Sequence, residues 1–330
     1  YSGRNNNYYT SGDTLIKTTD SISLDLADIQ RQYSTDTNSL SIHPRFNNDT
    51  LLEPHVTELV DAGTPIAGIT TDILGASRDT TPSIGAYEYT YTCVGLSGIY
   101  TINSSGSGAK NYTSISDAVD DLNDLGICAD VTFNIRQGTY QETLSINEIY
   151  NAGDSGTVVF QANNGEVILI DTANENNYTG ITLTSASSVH FVNLTFSYSR
   201  SNNYTNASSV EMVDECSNIE FTNCKFTGDF IDTHIGVGFG AVVSNFKVDS
   251  SKFYDSYRGI SVHGGKNATI TNNRFESAIA VSLSMDSSVI ANNYMKVFVG
   301  NTDATGISVS GNSHEIHNNT IVGQTLGAGL

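Results

Sequence analysis

Short strands that return every 20 to 30 residues predict an all-β fold, a right-handed parallel β-helix. Three observations support this fold class. A six-residue template recurs, in the order apolar, any residue, Asn or Ser, any two residues, apolar. Its third position falls on Asn193, Asn223, Ser250, Asn272, Asn292 and Asn318. The chain has only four Pro and no Trp. Repeats of short strands at this period are typical of β-solenoids, and parallel crossovers are nearly always right-handed.

The asparagine pairs of the template, as in "ITNNRF" and "IANNYM", predict a stacked ladder. Equivalent residues of neighbouring rungs lie about 4.8 Å apart, and an amide both donates and accepts hydrogen bonds. We therefore expect the first asparagine of each pair to be buried and stacked, at Asn272, Asn292 and Asn318. The second asparagine of each pair is expected to complete the turn, at Asn273, Asn293 and Asn319.

Three regions are predicted along the chain. Residues 1–90 are the C-terminal end of an upstream β-helix domain, residues 91–111 are a linker, and residues 112–330 are the N-terminal cap and first rungs of a second, truncated β-helix domain. The segment "YTSISDAVDDL" predicts a short capping helix, with Ser114 or Ser116 at its start. Its apolar face would consist of Ile115, Ala118, Val119 and Leu122. The segments at 130–146 and 156–170 read as strands.

Charge and hydropathy exclude two classes of partner. The net charge is −20, from 35 acidic and 15 basic residues, and nucleic-acid binding needs clustered Lys and Arg. No apolar run approaches the roughly 18 residues that a transmembrane helix requires. The first residues do not resemble a signal peptide and the last contain no cap, so we expect an internal piece of a longer protein.

The four cysteines match no zinc-site spacing. Cys93 and Cys128 bracket one insertion and could form a disulfide in an oxidising compartment. Cys216 and Cys224 lie in apolar strand sequence, which favours buried free thiols.

The segments "NYTSISDAVDDLN" and "ADVTFNIRQGTYQETLSI" resemble the opening of pectin-methylesterase-type β-helices. They resemble more closely the repeated β-helix domains of giant secreted surface adhesins of Bacteroidetes, such as the SprB-like adhesins of gliding motility. The segment "DAGTPIAGITTDILGASRDTTPSIGAYEY" resembles the closing part of such a domain. The resemblance implies export by the type IX system and an extracellular location on the cell surface.

One segment, "FTNCKFTGDFIDTH", resembles the pectin methylesterase motif in which Gln-Asp-Thr follows an Asn-Cys strand. Asp232 and Thr233 match the Asp-Thr, but Ile231 stands where the motif has Gln. The next rung lacks the second Asp motif of that family. Esterase chemistry is therefore disfavoured, because no second acid and no oxyanion-stabilising Gln are identifiable.

A lyase reading would use Asp249, Asp255 and Arg258, which have Lys247 and Lys252 nearby. Mixed charges on an exposed solenoid face are the ordinary explanation. In "HEIH", His314 and His317 are three apart on a strand and would point to opposite faces, which argues against a shared metal ion. The sequence therefore predicts no catalytic, cofactor-binding or metal-binding residue, and no cofactor.

These observations predict a non-enzymatic cell-surface β-helix segment of a large adhesin, acting as stalk and multivalent adhesive surface. Its expected partners are surface glycans or polysaccharides and neighbouring β-helix domains of the same long chain. The alternative is a polysaccharide-active β-helix enzyme, either a lyase or similar to pectin methylesterase. A pure spacer without a ligand is a third reading.

Overall fold

The computed structural model describes residues 3–9, 16–17, 22–23, 25–46, 53–170, 179–198, 208–228, 231–238, 240–299 and 304–325. The chain divides into two compact units, Tyr1–Val94 and Gly95–Leu330. Neither α-helix in these described ranges is long and apolar enough to cross a membrane.

The first unit contains little regular structure. Its elements are β1 (Ile16–Lys17), which pairs antiparallel with β2 (Ile22–Ser23), the helix α1 (Leu26–Tyr33) and a 3₁₀ turn (Thr57–Leu59). Two side chains hold its turn-rich part together. Arg78 donates to the backbone carbonyls of Ser83 and Gly85, and Asp72 accepts from three backbone N–H groups. That this unit ends an upstream β-helix stays a prediction.

The second unit contains the helix α2 (Ile115–Leu125) and a run of mostly short strands. The strands are β3 (Leu96–Ile102), β4 (Asn111–Tyr112), β5 (Ile127–Gln141), β6 (Leu144–Ile146), β7 (Val158–Ile170), β8 (Thr179–Thr184), β9 (Ser187–Val192), β10 (Leu194–Tyr198), β11 (Ser208–Val213), β12 (Glu215–Thr222), β13 (Lys225–Gly228), β14 (Ile231–Val237), β15 (Val242–Ser244), β16 (Lys247–Asp249), β17 (Lys252–Lys266), β18 (Thr269–Thr271), β19 (Arg274–Asp286), β20 (Val289–Ala291), β21 (Tyr294–Val299), β22 (Thr305–Ser310), β23 (Glu315–His317) and β24 (Thr320–Thr325).

The strands of the second unit form three parallel sheets, which makes it a parallel β-helix and confirms the predicted fold class. Sheet A contains β3, β9, β16, β18, β20 and β23, with the first halves of β5 and β7 and the second half of β12. Sheet B contains β10, β13, β21 and β24, with the second halves of β5 and β7 and the starts of β17 and β19. Sheet C contains β6, β8, β11, β14 and β22, with the later parts of β17 and β19.

Two columns of stacked aromatic rings fill the interior. In sheet B, the rings of Phe226 and Phe253 are 4.7 Å apart, and those of Phe253 and Phe275 are also 4.7 Å apart. In sheet A, Phe133 and Phe160 stack at 4.8 Å. These separations match the spacing of neighbouring strands, so the register of the backbone places each ring directly over the next.

The segment predicted as a linker contributes to the second unit. Leu96–Ile102 is strand β3 and pairs in parallel with β5, and Asn111–Tyr112 is strand β4. The unit boundary lies at Val94 and Gly95. The sequence "LSGIYTI" alternates and buries Leu96, Tyr100 and Ile102, a pattern typical of a strand, whereas the Gly- and Ser-rich sequence that follows is typical of a linker.

The capping helix forms as predicted. Ile115, Ala118, Val119 and Leu122 are buried, and the Ser114 hydroxyl accepts from the N–H of Asp117 at 3.0 Å. Sequence reasoning missed the contribution of Glu142. Its carboxylate accepts from the N–H groups of Ile115 at 3.2 Å and Ser116 at 2.6 Å. A carboxylate at a helix N-terminus satisfies free donors and complements the helix dipole, so Glu142 ties α2 to the first rung.

The asparagine ladder exists, but the two asparagines of each pair exchange places relative to the prediction. The first asparagine is exposed, with positive φ values of 59°, 57° and 55° at Asn272, Asn292 and Asn318. Asn273 and Asn293 are buried, each 2% exposed. The physical reason is that the left-handed turn conformation points the first side chain outward and the next one inward. The first asparagine therefore makes the turn and the second makes the ladder.

Each buried amide bridges successive rungs. Asn293 Oδ1 accepts from the backbone N–H of Asn273 at 2.9 Å and from its Nδ2 at 3.1 Å. Asn293 Nδ2 donates to the carbonyl of Ile270 at 2.9 Å and to Asn319 Oδ1 at 2.9 Å. Because every polar atom of the Asn293 amide has a partner, the group can be buried without an unsatisfied donor or acceptor.

Cys216 and Cys224 are buried free thiols, as predicted, whereas Cys93 and Cys128 are disulfide-bonded. Burial raises the pKa of Cys224 to about 12 and also raises the pKa of Cys216. A thiol that is both buried and protonated is a poor nucleophile.

We therefore expect neither free thiol to react with an aromatic disulfide reagent in the folded protein, and two thiols per chain to react in denaturant. The measurement is the absorbance of the released thiolate over time. Thr222→Cys, on the half-exposed outer face of sheet A, is the matched positive control. Fast labelling of the unmodified folded chain would show that the core opens.

Candidate functional site

The outer face of sheet B brings basic and aromatic side chains together on successive rungs. Lys225, Lys252, Arg274 and Tyr294 occupy equivalent positions on β13, β17, β19 and β21, and all four are exposed. Their backbones lie one strand spacing apart, about 4.8 Å. In the neighbouring column Tyr254, Glu276 and Lys296 follow one another on β17, β19 and β21. These seven residues are called the basic strip below.

Within the basic strip, Glu276 organises the two cations nearest to it. Arg274 Nη2 lies 2.6 Å and Lys296 Nζ 3.6 Å from carboxylate oxygens of Glu276. The guanidinium of Arg274 lies 5.3 Å from the centre of the Tyr294 ring. The hydrogen bond from Arg274 is the main reason that the pKa of Glu276 lies below its ordinary value. These contacts hold Arg274 over an aromatic face, and its side chain stays about half exposed.

The other two cations of the strip are uncompensated. Within the described part of the chain, no carboxylate forms an ion pair with Lys225 or Lys252. The strip holds four of the fifteen Lys and Arg residues, against the single acid Glu276, in a chain of net charge −20. A cationic strip on an acidic protein attracts anions locally. The basic strip is therefore the candidate binding site of this surface.

The sequence contained the information that locates the strip. Lys225, Lys252, Arg274 and Tyr294 all stand at the fifth position of the repeated template, immediately before its final apolar residue. Alternation on a strand puts that position outside when its neighbour is inside.

The residues proposed for a lyase are dispersed. Lys247 lies on sheet A, where Nζ pairs with Glu220 at 3.2 Å, whereas Lys252 lies on sheet B. Burial opposes ionisation of Asp249, but hydrogen bonds from Thr271, Asn272 and Ser250 hold its pKa below the ordinary value. Asp249 is thus engaged by its neighbours on the turn. Of the proposed group, the strip includes Lys252 alone.

The segment that resembles the esterase motif lies on β14. Thr233 is buried and pairs in register with Arg258 on β17. The residue paired with Thr233 on the next rung is therefore a cation, Arg258, and not a second acid. The side chains of Ile231 and Asp232 lie outside the described residues.

A buried Ser-His pair lies next to this segment. Ser209 Oγ is 3.0 Å from His234 Nδ1, and His234 Nε2 is 2.6 Å from the carbonyl oxygen of Tyr254. Because a carbonyl only accepts, Nε2 carries the proton and Nδ1 accepts from the serine hydroxyl. Complete burial lowers the pKa of His234 to about 4, so the ring is neutral at pH 7. Both ring nitrogens are satisfied, and we assign this pair to the core.

A polar cleft of about 510 Å³ lies at the start of sheet B, beside α2. Its lining includes Asn103, Arg136, Gln137, Thr139, Tyr140 and Gln141. Arg136 Nη1 donates to Asn103 Oδ1 at 3.2 Å, and the hydroxyl of Tyr140 donates to the carbonyl of Arg136 at 2.9 Å. Amide, hydroxyl and guanidinium groups thus converge on an open cavity whose size suits a small polar ligand.

An acidic cluster in the first unit was also missed by sequence reasoning. Carboxylate oxygens of Asp61, Asp79 and Glu88 lie within 4.8 Å of one another. Glu88 is paired with Arg78 at 3.3 Å, which compensates part of this charge.

Comparison with known proteins gives a likeness of fold. No family model and no curated protein matches the chain. Solved structures that match include rice weevil pectin methyl esterase, with 11% identity and a TM-score of 0.40 over 68% of this chain and 91% of that one. Aspergillus niger pectin methylesterase matches with 13% identity and a TM-score of 0.40 over 71% and 87%. Erwinia chrysanthemi pectin methylesterase PemA matches with 14% identity and a TM-score of 0.34 over 66% and 82%.

These matches support the resemblance to pectin-methylesterase-type β-helices at the level of fold. The matched proteins are enzymes, so the prediction that this chain is not an enzyme is wrong. At 11 to 14% identity the likeness shows the fold alone, and the argument about function rests on the site itself.

Proposed function

We propose that this chain is a polysaccharide-active β-helix that holds an acidic polysaccharide along the basic strip. The observation that supports the proposal is the column Lys225, Lys252, Arg274 and Tyr294 on consecutive rungs, with two cations that lack an ion-pair partner among the described residues. Cell-surface display and binding to surface glycans stay predictions.

The repeat of the strip suits a polymer of acidic sugars. Successive rungs place equivalent side chains about 4.8 Å apart. Such a regular row of side chains suits a ligand that itself repeats along its length. Lys and Arg form charge-assisted hydrogen bonds with carboxylates, and the flat rings of Tyr254 and Tyr294 offer apolar faces to sugar rings. Many weak contacts in register add to one useful affinity.

Between the two reaction classes, the strip favours elimination over de-esterification. In elimination, cations neutralise the uronate carboxylate and a base removes the adjacent C–H proton. A C=C bond then forms, the glycosidic C–O bond breaks, and the leaving oxygen takes a proton from water. De-esterification by paired acids would need two neighbouring carboxylates, and among the described side chains of the strip Glu276 is the sole acid. A lyase is therefore the class that we propose.

The test measures product release from polygalacturonate and alginate. We expect an increase in absorbance near 235 nm from unsaturated uronates, and a loss of at least tenfold in rate for Lys252→Gln. Lys247→Gln, five residues away and on sheet A, is the matched control and should retain the rate. Methanol release from methylated pectin, without unsaturated product, would show that the reaction class is wrong.

A further inference from the structure

The basic strip and the polar cleft lie on the same face of sheet B. Thr139, which lines the cleft, pairs with Ile168, Ile168 pairs with Thr195, and Thr195 pairs with Lys225. The cleft is thus three strand spacings, about 14 Å, from the first cation of the strip. From Thr139 to Tyr294 the column covers six spacings, about 29 Å.

Two charged residues line the cleft, Arg136 and Glu142. The Glu142 carboxylate at its edge is committed to the N-terminus of α2, where three donors reach it. Arg136 is exposed, and among the residues that the structure describes no carboxylate pairs with it. Its hydrogen bond to Asn103 and the bond from Tyr140 to its own carbonyl hold the residue at the cleft wall. The cleft therefore presents one positively charged fork among amide and hydroxyl groups.

Among the described residues, the two rungs between the sites place no cation in this column. In this column they place Ile168, which is half-buried, and Thr195, which is buried and whose hydroxyl donates to Glu166 at 3.2 Å. A carboxylate of a bound chain would be repelled there by Glu166, and attracted on either side by Arg136 or Lys225. The face thus has two separate places for anionic sugar residues.

We infer that the polar cleft is a second subsite for the same acidic polysaccharide, in which Arg136 takes a carboxylate and the neighbouring Gln137 and Gln141 take sugar hydroxyls. This inference rests on the proposed function, because the strip is the first subsite. A ligand long enough to cover about 29 Å engages both sites at once, and the second contact becomes intramolecular. A short ligand can occupy only one of the two sites at a time.

The experiment compares a trimer and an octamer of galacturonic acid by calorimetry on the full chain. In the unmodified protein the octamer should bind at least about tenfold more tightly than the trimer. Arg136→Ala should abolish this gain, whereas the trimer should still bind at the strip. Lys252→Gln should weaken the binding of both ligands.

The possible failures are distinguishable. If the trimer does not bind the unmodified chain, the strip is not a subsite and the proposed function fails. If the trimer binds but Arg136→Ala retains the full octamer gain, the cleft is not a subsite. Thr139→Glu, which adds an anion to the cleft wall without removing Arg136, should also remove the gain. An unaltered gain in that variant would overturn the inference independently of the folding of Arg136→Ala.

Discussion

Replacing Asn293 by Ala should lower the free energy of unfolding by at least about 3 kcal/mol. The substitution removes the acceptor for the Asn273 N–H and the donor for the Ile270 carbonyl, and of the two donors to Asn319 Oδ1 it leaves only the backbone N–H of residue 293. Each buried polar group that loses its partner costs about 1–3 kcal/mol. The midpoint of unfolding in urea, with unchanged slope, is the measurement.

The adjacent asparagine is the matched control for the ladder. Asn292 is exposed and adopts φ of 57°, a conformation that glycine enters without strain. Asn292→Gly should therefore change the free energy of unfolding by a few tenths of a kcal/mol at most. A larger loss of unfolding free energy for Asn292→Gly than for Asn293→Ala would contradict this account. It would indicate that Asn292, and not Asn293, belongs to the buried ladder.

Acid should destabilise the second unit through His234. Burial lowers the pKa of His234 in the folded state to about 4, whereas its ordinary value is 6.5. The unfolded chain therefore binds the proton more readily between these values. The free energy of unfolding is unaffected by this group above pH 6.5, falls as the pH drops from 6.5 to 4, and changes no further below pH 4. The total loss is about 3 kcal/mol.

The variant His234→Gln isolates this contribution. It should be less stable than the unmodified chain at pH 7, since it disturbs the bonds to Ser209 and to the Tyr254 carbonyl. Its difference in unfolding free energy between pH 7 and pH 4.5 should nevertheless be smaller. His263→Gln, at an exposed position, is the matched control substitution. Equal slopes in all three proteins would contradict a neutral buried His234.

Much of the fold follows from the sequence because a solenoid repeats its local rules. The template fixed the parallel columns through its first and last apolar positions, as with Phe221 and Phe226. The capping helix was recognisable because a serine cap precedes a four-residue apolar face. The inward direction of the second asparagine was not recognisable, because it depends on which residue adopts positive φ, and both asparagines tolerate that conformation.

The candidate site was harder to predict than the fold. Lys225, Lys252 and Arg274 are 27 and 22 residues apart, and their proximity depends on register between strands, not on distance in the chain. Arg136 and Asn103 meet only because β3 pairs with β5, in a segment that was assigned to a linker. The acidic composition of the whole chain also concealed a local cationic surface, because net charge does not report how charges are distributed.

The dissociation constant for a galacturonate oligomer, measured at 20 mM and 200 mM salt, tests the central claim most directly. We expect binding by the unmodified chain that weakens steeply with salt, since screening reduces the attraction of exposed cations for carboxylates. Reversal of one charge in Lys252→Glu should weaken binding at low salt by at least about tenfold, whereas Lys247→Glu on sheet A should leave it unchanged. Equal binding by all three proteins, or binding that does not respond to salt, would contradict the assignment of the basic strip as the polysaccharide site.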